Sequence, residues 1–98
     1  METRKYIAIS DFCDSHRIDE SFVFALSEFE IVQINYSEEQ PFFHLDELPK
    51  LEKMVRLHHD LNINIDGLEA IHHLLEKIEK LNEELTVLKR KLNRFEGH

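Results

Sequence analysis

Residues 66–96 read DGLEAIHHLLEKIEKLNEELTVLKRKLNRFE and carry the strongest pattern in the chain. Large apolar residues recur there at alternating steps of three and four, which is the heptad spacing of a coiled-coil seam. A helix over this stretch is roughly 46 Å long at ~1.5 Å per residue, whereas a compact chain of this size is roughly 33 Å across. We therefore expect the stripe to form a homodimer interface; packing against the chain's own body is the alternative. The seam residues are Ile71, Leu74, Ile78, Leu81, Leu85, Leu88, Leu92 and Phe95.

The composition fits one small, mostly helical body with this helix appended. Among 98 residues, 42% are apolar and 33% are charged, a folded balance, and only two Gly and two Pro leave few turns for a many-stranded sheet. A single cysteine rules out an internal disulfide framework and favours a reducing compartment, so we expect a cytoplasmic protein. No apolar run approaches the ~20 residues of a membrane span, and too short an apolar run follows the basic pair Arg4-Lys5 for a signal peptide.

Two short helices are predicted in the first quarter of the chain. A brief apolar run ends at Ser10, a good N-cap for a short helix over 11–15. Asp19 is the predicted N-cap of a second helix that runs to Phe29, with one apolar face at helical spacing.

A hairpin and a third helix follow. Residues 32–36 alternate as a strand does, and 41–43 read as the returning strand, with extended loops as the alternative. A helix opens at Asp46 or Leu48 and ends before 62, so we divide the chain into a body over 1–62 and a dimerisation helix over 63–98. The expected core residues are Ile7, Phe12, Cys13, Ile18, Phe22, Leu26, Phe29, Val32, Phe43, Leu48, Leu51, Val55 and Leu68.

The negative charge is concentrated in one segment. Residues 11–49 hold ten carboxylates and one base, Arg17, for a net charge of −9 within a chain total of −8. Such a segment repels phosphate and attracts a basic partner. We expect it to bind that partner around an exposed Phe24 or Phe42, and ordinary solvated charge is the alternative. The carboxylates are Asp11, Asp14, Asp19, Glu20, Glu28, Glu30, Glu38, Glu39, Asp46 and Glu47.

Three stretches carry a family resemblance: DFC at 11–13, VRLHHDL at 55–61 and LKRKLNRF at 88–95. With the order of predicted elements, they resemble MerR-like winged helix-turn-helix proteins, and among these the chaperone modulators of the CbpM type. The resemblance implies a mostly α fold with a small β-hairpin wing and a long C-terminal coiled-coil helix. It also implies a chaperone modulator that binds the J-domain of a CbpA-like DnaJ homologue and inhibits its co-chaperone and DNA-binding activities.

The chain departs from DNA-binding MerR proteins where those proteins face DNA. Their second helix reads like Ser-Pro-Arg-Thr-Leu-Arg-Tyr-Tyr, and here the two arginine positions hold Ser21 and Phe24. The tyrosine pair becomes 25–26, Ala-Leu, and the glycine of the following turn becomes Glu30. The wing over 35–44 contains no Lys or Arg. DNA binding depends on cations that neutralise phosphates, so we expect this chain not to bind DNA. A MerR-family transcriptional regulator is the alternative function, and a protein that serves only as a coiled-coil scaffold is a third.

Two adjacent histidine pairs, His58-His59 and His72-His73, are the remaining candidates for metal ligands. Neighbours on a helix point about 100° apart, so one pair cannot offer both imidazoles to one ion. One histidine from each helix with an acid such as Asp60 or Glu69 stays geometrically open, but the usual ligand spacing is missing. We expect solvated or hydrogen-bonded surface histidines and no metal, with pH-sensitive contacts as the alternative.

The sequence offers no enzyme site. Nearby Asp11 and Asp14 should raise the pKa of the Cys13 thiol rather than lower it, so a small buried apolar residue is the prediction there. No glycine-rich phosphate loop, Gly-x-Ser-x-Gly elbow or zinc-protease motif occurs. We expect a non-enzymatic protein without a cofactor.

Overall fold

The computed structural model describes residues 5–37 and 40–96, and it confirms a mostly α chain with a small antiparallel sheet and a long C-terminal helix. The sheet and helices pack as one body from which the last helix projects. In these residues the strands are β1 (Tyr6–Ala8), β2 (Asn35–Tyr36) and β3 (Pro41–His44), and the helices are α1 (Ile9–His16), α2 (Glu20–Glu28), α3 (Leu48–Leu61) and α4 (Ile65–Glu96). A 3-10 turn, Leu45–Glu47, joins β3 to α3.

The sheet has the strand order β1-β3-β2, and both pairings are antiparallel. The predicted hairpin is confirmed, but its first strand is shorter than the expected 32–36. Ile31, Val32 and Ile34 are all buried. Neighbouring residues of a regular strand point to opposite faces, so the chain can bury all three only by looping before β2 begins.

The helix starts differ from the predicted ones at two places. α1 begins at Ile9, with Ala8 in the N-cap position, because the fully buried Ile9 side chain belongs to the core and Ser10 falls inside the helix. α4 begins one residue before the predicted Asp66. There the backbone N–H of Gly67 donates to Oδ1 of Asn64 at 2.8 Å, and this side-chain cap sets the start.

In the helix-turn-helix formed by α1 and α2, the residue after α1 and the second residue after α2 both have left-handed backbone conformations. Arg17 has φ = 55°, and the next residue, Ile18, donates its N–H to the Cys13 carbonyl at 3.1 Å. Asp19 takes the N-cap position of α2 as predicted, although its side chain makes no capping bond, and Phe29 follows the last helical residue. Glu30 then has φ = 62°, so the turn after α2 has the conformation that usually favours glycine.

The core lies between the sheet and the helices. Phe43 is fully buried, and its ring meets that of Phe12 edge to face, with centroids 5.5 Å apart. Nine of the expected core residues are buried, whereas four are only partly buried at its edge: Ile7, Ile18, Phe29 and Leu48. The loop and helix faces instead contribute unexpected core residues: Ile9, Val23, Ile31, Ile34 and Met54.

α4 begins inside the body and then leaves it. Leu68 is fully buried and His72 is 7% exposed. Beyond Leu75 every described side chain of the helix is exposed. The radius of gyration is 17.7 Å and the longest dimension is 58 Å, against roughly 13 Å for the radius of a compact chain of this length. The break after α3 falls at the predicted boundary near residue 62, while the first turns of α4 pack with the body; the division into two domains stays a prediction.

Candidate protein-binding surfaces

The heptad seam is a long apolar stripe that the fold leaves open. Ile71 is partly buried at the base of α4. From Leu74 to Leu92 the seam residues are between 51% and 60% exposed, and Phe95 is 89% exposed. The uncovered part is roughly 32 Å long at ~1.5 Å per residue. The body of the same chain therefore does not cover the seam beyond its first residue, and the homodimer remains a prediction.

The acidic segment does not form one continuous site. One group of its carboxylates surrounds Cys13, which is 4% exposed. Burial, and then the carboxylates of Glu20, Asp14 and Asp19, raise the pKa of this thiol from 9.0 to about 11. Cys13 is thus a buried, unreactive thiol as predicted. The prediction was right on Asp14 and wrong on Asp11, which is not among the carboxylates that raise this pKa.

A second acidic group lies where α2 ends against α4. Glu28 and Glu30 line a cleft of about 400 Å³ together with two carboxylates of α4, Glu69 and Glu76, and with His72 and His73. We name this the α2–α4 cleft. From the sequence, Glu69 was considered only as a possible metal ligand, and neither α4 carboxylate was placed beside α2, because they lie about forty residues from α2 in the chain and only the packing of the two helices brings them together.

The adjacent histidines of α4 share the carboxylate of Glu76. Its Oε2 lies 3.2 Å from Nε2 of His72, and its Oε1 lies 4.0 Å from Nδ1 of His73. Nε2 of His73 also lies 3.7 Å from Oε2 of Glu69. Each imidazole therefore has an acidic neighbour at helical spacing, a signal that the sequence did contain.

The other histidine pair has different surroundings. The ring of His58 lies 4.7 Å from that of Phe22, and its Nδ1 donates to the Ile63 carbonyl at 2.9 Å, while His59 is exposed. Within residues 5–37 and 40–96, no group of three or more His, Cys, Asp or Glu side chains is arranged to hold a metal ion.

A third acidic site lies on the other side of Glu30. Glu30 and Glu47 line a cleft of about 380 Å³ whose other polar residues are Ser27, Gln33 and Lys50. The Lys50 Nζ donates to the Ile31 carbonyl at 3.0 Å, which ties α3 to the turn after α2. We name this the Glu47 cleft.

The remaining predicted carboxylates lie apart from both clefts. Asp46 is exposed beside His44, whose Nδ1 accepts the Asp46 backbone N–H at 2.9 Å. Glu38 and Glu39 lie outside the described residues.

The expected apolar anchors are not exposed. Phe24 is partly buried against the core, and Phe42 is partly buried with its ring 5.0 Å from that of Tyr6. The prediction of exposed rings was wrong, because Phe24 packs against the core and Tyr6 of the edge strand β1 covers part of Phe42. The most exposed aromatic residue of the described sheet is Tyr36 on β2, at 71%.

The helix that would read DNA presents no cation. Of its residues at the positions of the arginines, Ser21 is exposed and Phe24 is partly buried. Leu26 is fully buried and serves the core. The acidic residues Glu20 and Glu28 are exposed at its two ends. This helix therefore suits a basic surface better than a phosphate backbone.

A helix-turn-helix from α1 and α2, a β-hairpin and a long terminal helix together define a winged helix-turn-helix protein. The chain belongs to the MerR HTH family of regulatory proteins, whose family model matches residues 7–90. No curated protein and no solved structure matches the chain. None of the helices in the described part is long and apolar enough to cross a membrane.

Proposed function

We propose that this MerR-family chain is a non-enzymatic chaperone modulator of the CbpM type. It binds the J-domain of a CbpA-like DnaJ homologue and inhibits its co-chaperone and DNA-binding activities. The observation that carries the proposal is the charge of the reading helix: α2 and the turn after it expose Glu20, Glu28 and Glu30 and contain no Lys or Arg. The buried free thiol of Cys13 suits the reducing cytoplasm, where such a partner acts.

The carboxylates at the end of α2 are complementary in charge to the surface through which a J-domain binds Hsp70. J-domains engage Hsp70 through a basic helix and an adjoining His-Pro-Asp loop, so a ligand that covers the basic helix competes with Hsp70. The carboxylates at the end of α2 supply the complementary charge, which chiefly sets association rate and salt sensitivity. Because these groups are exposed, affinity falls with ionic strength as charges are screened beyond ~10 Å at about 0.1 M salt.

The test measures binding of a purified J-domain by calorimetry at low and moderate salt. Reversing two charges at the end of α2, in Glu28→Lys/Glu30→Lys, should weaken binding at least tenfold. The matched control, Asp60→Lys/Glu83→Lys, makes the same change in net charge at exposed positions on α3 and the outer side of α4. Equal affinities for the α2 variant and the parent at low salt would refute the acidic-surface mechanism.

Dimerisation through the seam is part of the proposal. Most of the stability of a helix in a protein comes from packing of its apolar face, and beyond Leu75 the body does not cover the apolar stripe of α4, so a covering surface would stabilise it. A second copy supplies an identical stripe of the same length. The dimer would present two acidic surfaces to its partner.

The second candidate is a DNA-binding transcriptional regulator, and family membership favours it. A mobility-shift assay at low salt with a pool of random duplexes separates the two. The chaperone proposal expects no discrete complex. A complex at nanomolar concentration would favour the regulator instead.

A further inference from the structure

We infer that the Glu47 cleft receives a guanidinium group from a basic protein partner. Oε1 of Glu47 exposes less than 1 Å² and, among the residues that the structure describes, has no hydrogen-bond partner. A buried carboxylate oxygen without a donor costs free energy, and native proteins nearly always satisfy such atoms. The oxygen is thus an acceptor held ready for a donor that the folded chain does not itself supply.

In the described part of the chain, Lys50 is the one cation that lines this cleft, and it is already engaged. Lys50 is one turn along α3 from Glu47, but its ammonium donates to the Ile31 carbonyl at 3.0 Å and makes no ion pair with Glu47. Two carboxylates, Glu30 and Glu47, therefore face one ammonium in the cleft, and a net negative charge remains. A cation from outside restores the balance, and a turn of the Glu47 carboxylate toward the cleft brings its unpartnered oxygen within reach of that cation's donors.

The chemistry of the lining favours guanidinium over ammonium. Four side chains that accept hydrogen bonds line the cleft: Ser27, Glu30, Gln33 and Glu47. They belong to three separate segments, namely the end of α2, the loop after it and the 3-10 turn. A guanidinium group presents five N–H donors in a plane and serves acceptors on several sides, whereas an ammonium offers three donors from one point.

The backbone conformation of Glu30 also favours a binding role for its carboxylate. This residue has φ = 62°, a conformation that is costly for any residue with a Cβ. The turn nevertheless holds a carboxylate at the rim of the cleft. The inference rests on the proposed function only for the identity of the partner, because the cleft itself is a property of this chain alone.

The first experiment tests the cleft without the J-domain. N-acetyl-arginine amide is titrated at millimolar concentration into the full chain and followed by amide NMR, with N-acetyl-lysine amide in parallel. The arginine probe should shift the amides of 30–34 and 47, and Glu47→Gln should abolish these shifts. Asp46→Asn should preserve them, because it removes the same charge from a neighbouring carboxylate that is 90% exposed.

The second experiment uses the same variants with the purified J-domain. Glu47→Gln should weaken binding at least tenfold at both low and moderate salt, because a buried contact is poorly screened, whereas Asp46→Asn should change it less than twofold. Asp46→Asn should melt with the parent, and Glu47→Gln should melt at or above the temperature of the parent, because it removes a carboxylate whose buried oxygen has no donor.

The outcomes separate the two proposals. Any of three results overturns the inference: the arginine probe shifts no amide of the cleft, the lysine probe shifts the cleft amides as much as the arginine probe does, or the two variants weaken J-domain binding equally. If the arginine probe binds the cleft but the J-domain does not bind the parent protein, the cleft stands and the proposed function fails.

Discussion

Leu81 and Leu88 lie near the middle of the exposed seam, with 56% and 60% of their surfaces in solvent. Fully burying a leucine contributes about 1.5–3 kcal/mol, so covering the exposed half contributes about 1 kcal/mol. Two leucines on each of two chains give about 4 kcal/mol, which corresponds to roughly a thousandfold in Kd. Glutamate at both positions removes this contribution and adds the cost of burying charge. Leu81→Glu/Leu88→Glu should therefore be monomeric at micromolar concentration.

Sedimentation velocity over a range of concentrations measures this change directly. Far-UV circular dichroism should fall with it, because the projecting part of α4 loses its support when the dimer separates. The matched control is Val87→Glu/Asn93→Glu, which adds two charges at exposed positions outside the seam. The seam assignment is wrong if the leucine variant remains a dimer or if the parent protein is already a monomer.

Two further predictions concern the body. The folded-state pKa of Cys13, about 11, lies above its usual 9.0, so stability is fully present below pH 9 and decreases by about 2 to 3 kcal/mol as pH rises to about 11. Denaturation in that range should show a steeper loss for the parent than for Cys13→Ala, and parallel curves would contradict the assigned burial of the thiol. Asn64→Ala removes the side-chain cap of α4 and should lower the free energy of unfolding by about 1 kcal/mol. Asn93→Ala, an exposed position inside the same helix, is its control in urea denaturation, and equal effects would show that the cap contributes nothing.

The acidic segment shows which features could be predicted from the sequence and which required the structure. Its net charge follows from counting residues, and it was visible without a fold. Its division into separate groups was not visible, because Glu30 and Glu47 are seventeen residues apart and Glu69 is on another helix. The core around Ile31 and Ile34 shows the same limit. A loop that buries consecutive residues has no periodicity from which burial can be predicted.

Periodic features of the chain were determined by the sequence itself, since heptad spacing and capping residues act between neighbours three or four positions apart. The periodic patterns predicted the long helix, its apolar stripe and the order of elements. The absence of Lys and Arg from α2 was read from the composition of that segment. Only the tertiary structure decided that Phe24 is partly covered, that α2 meets the acids of α4, and that one oxygen of Glu47 is buried without a donor. Each of these depends on contacts between segments distant in the chain, and the strength of such contacts comes from packing geometry that local sequence does not encode.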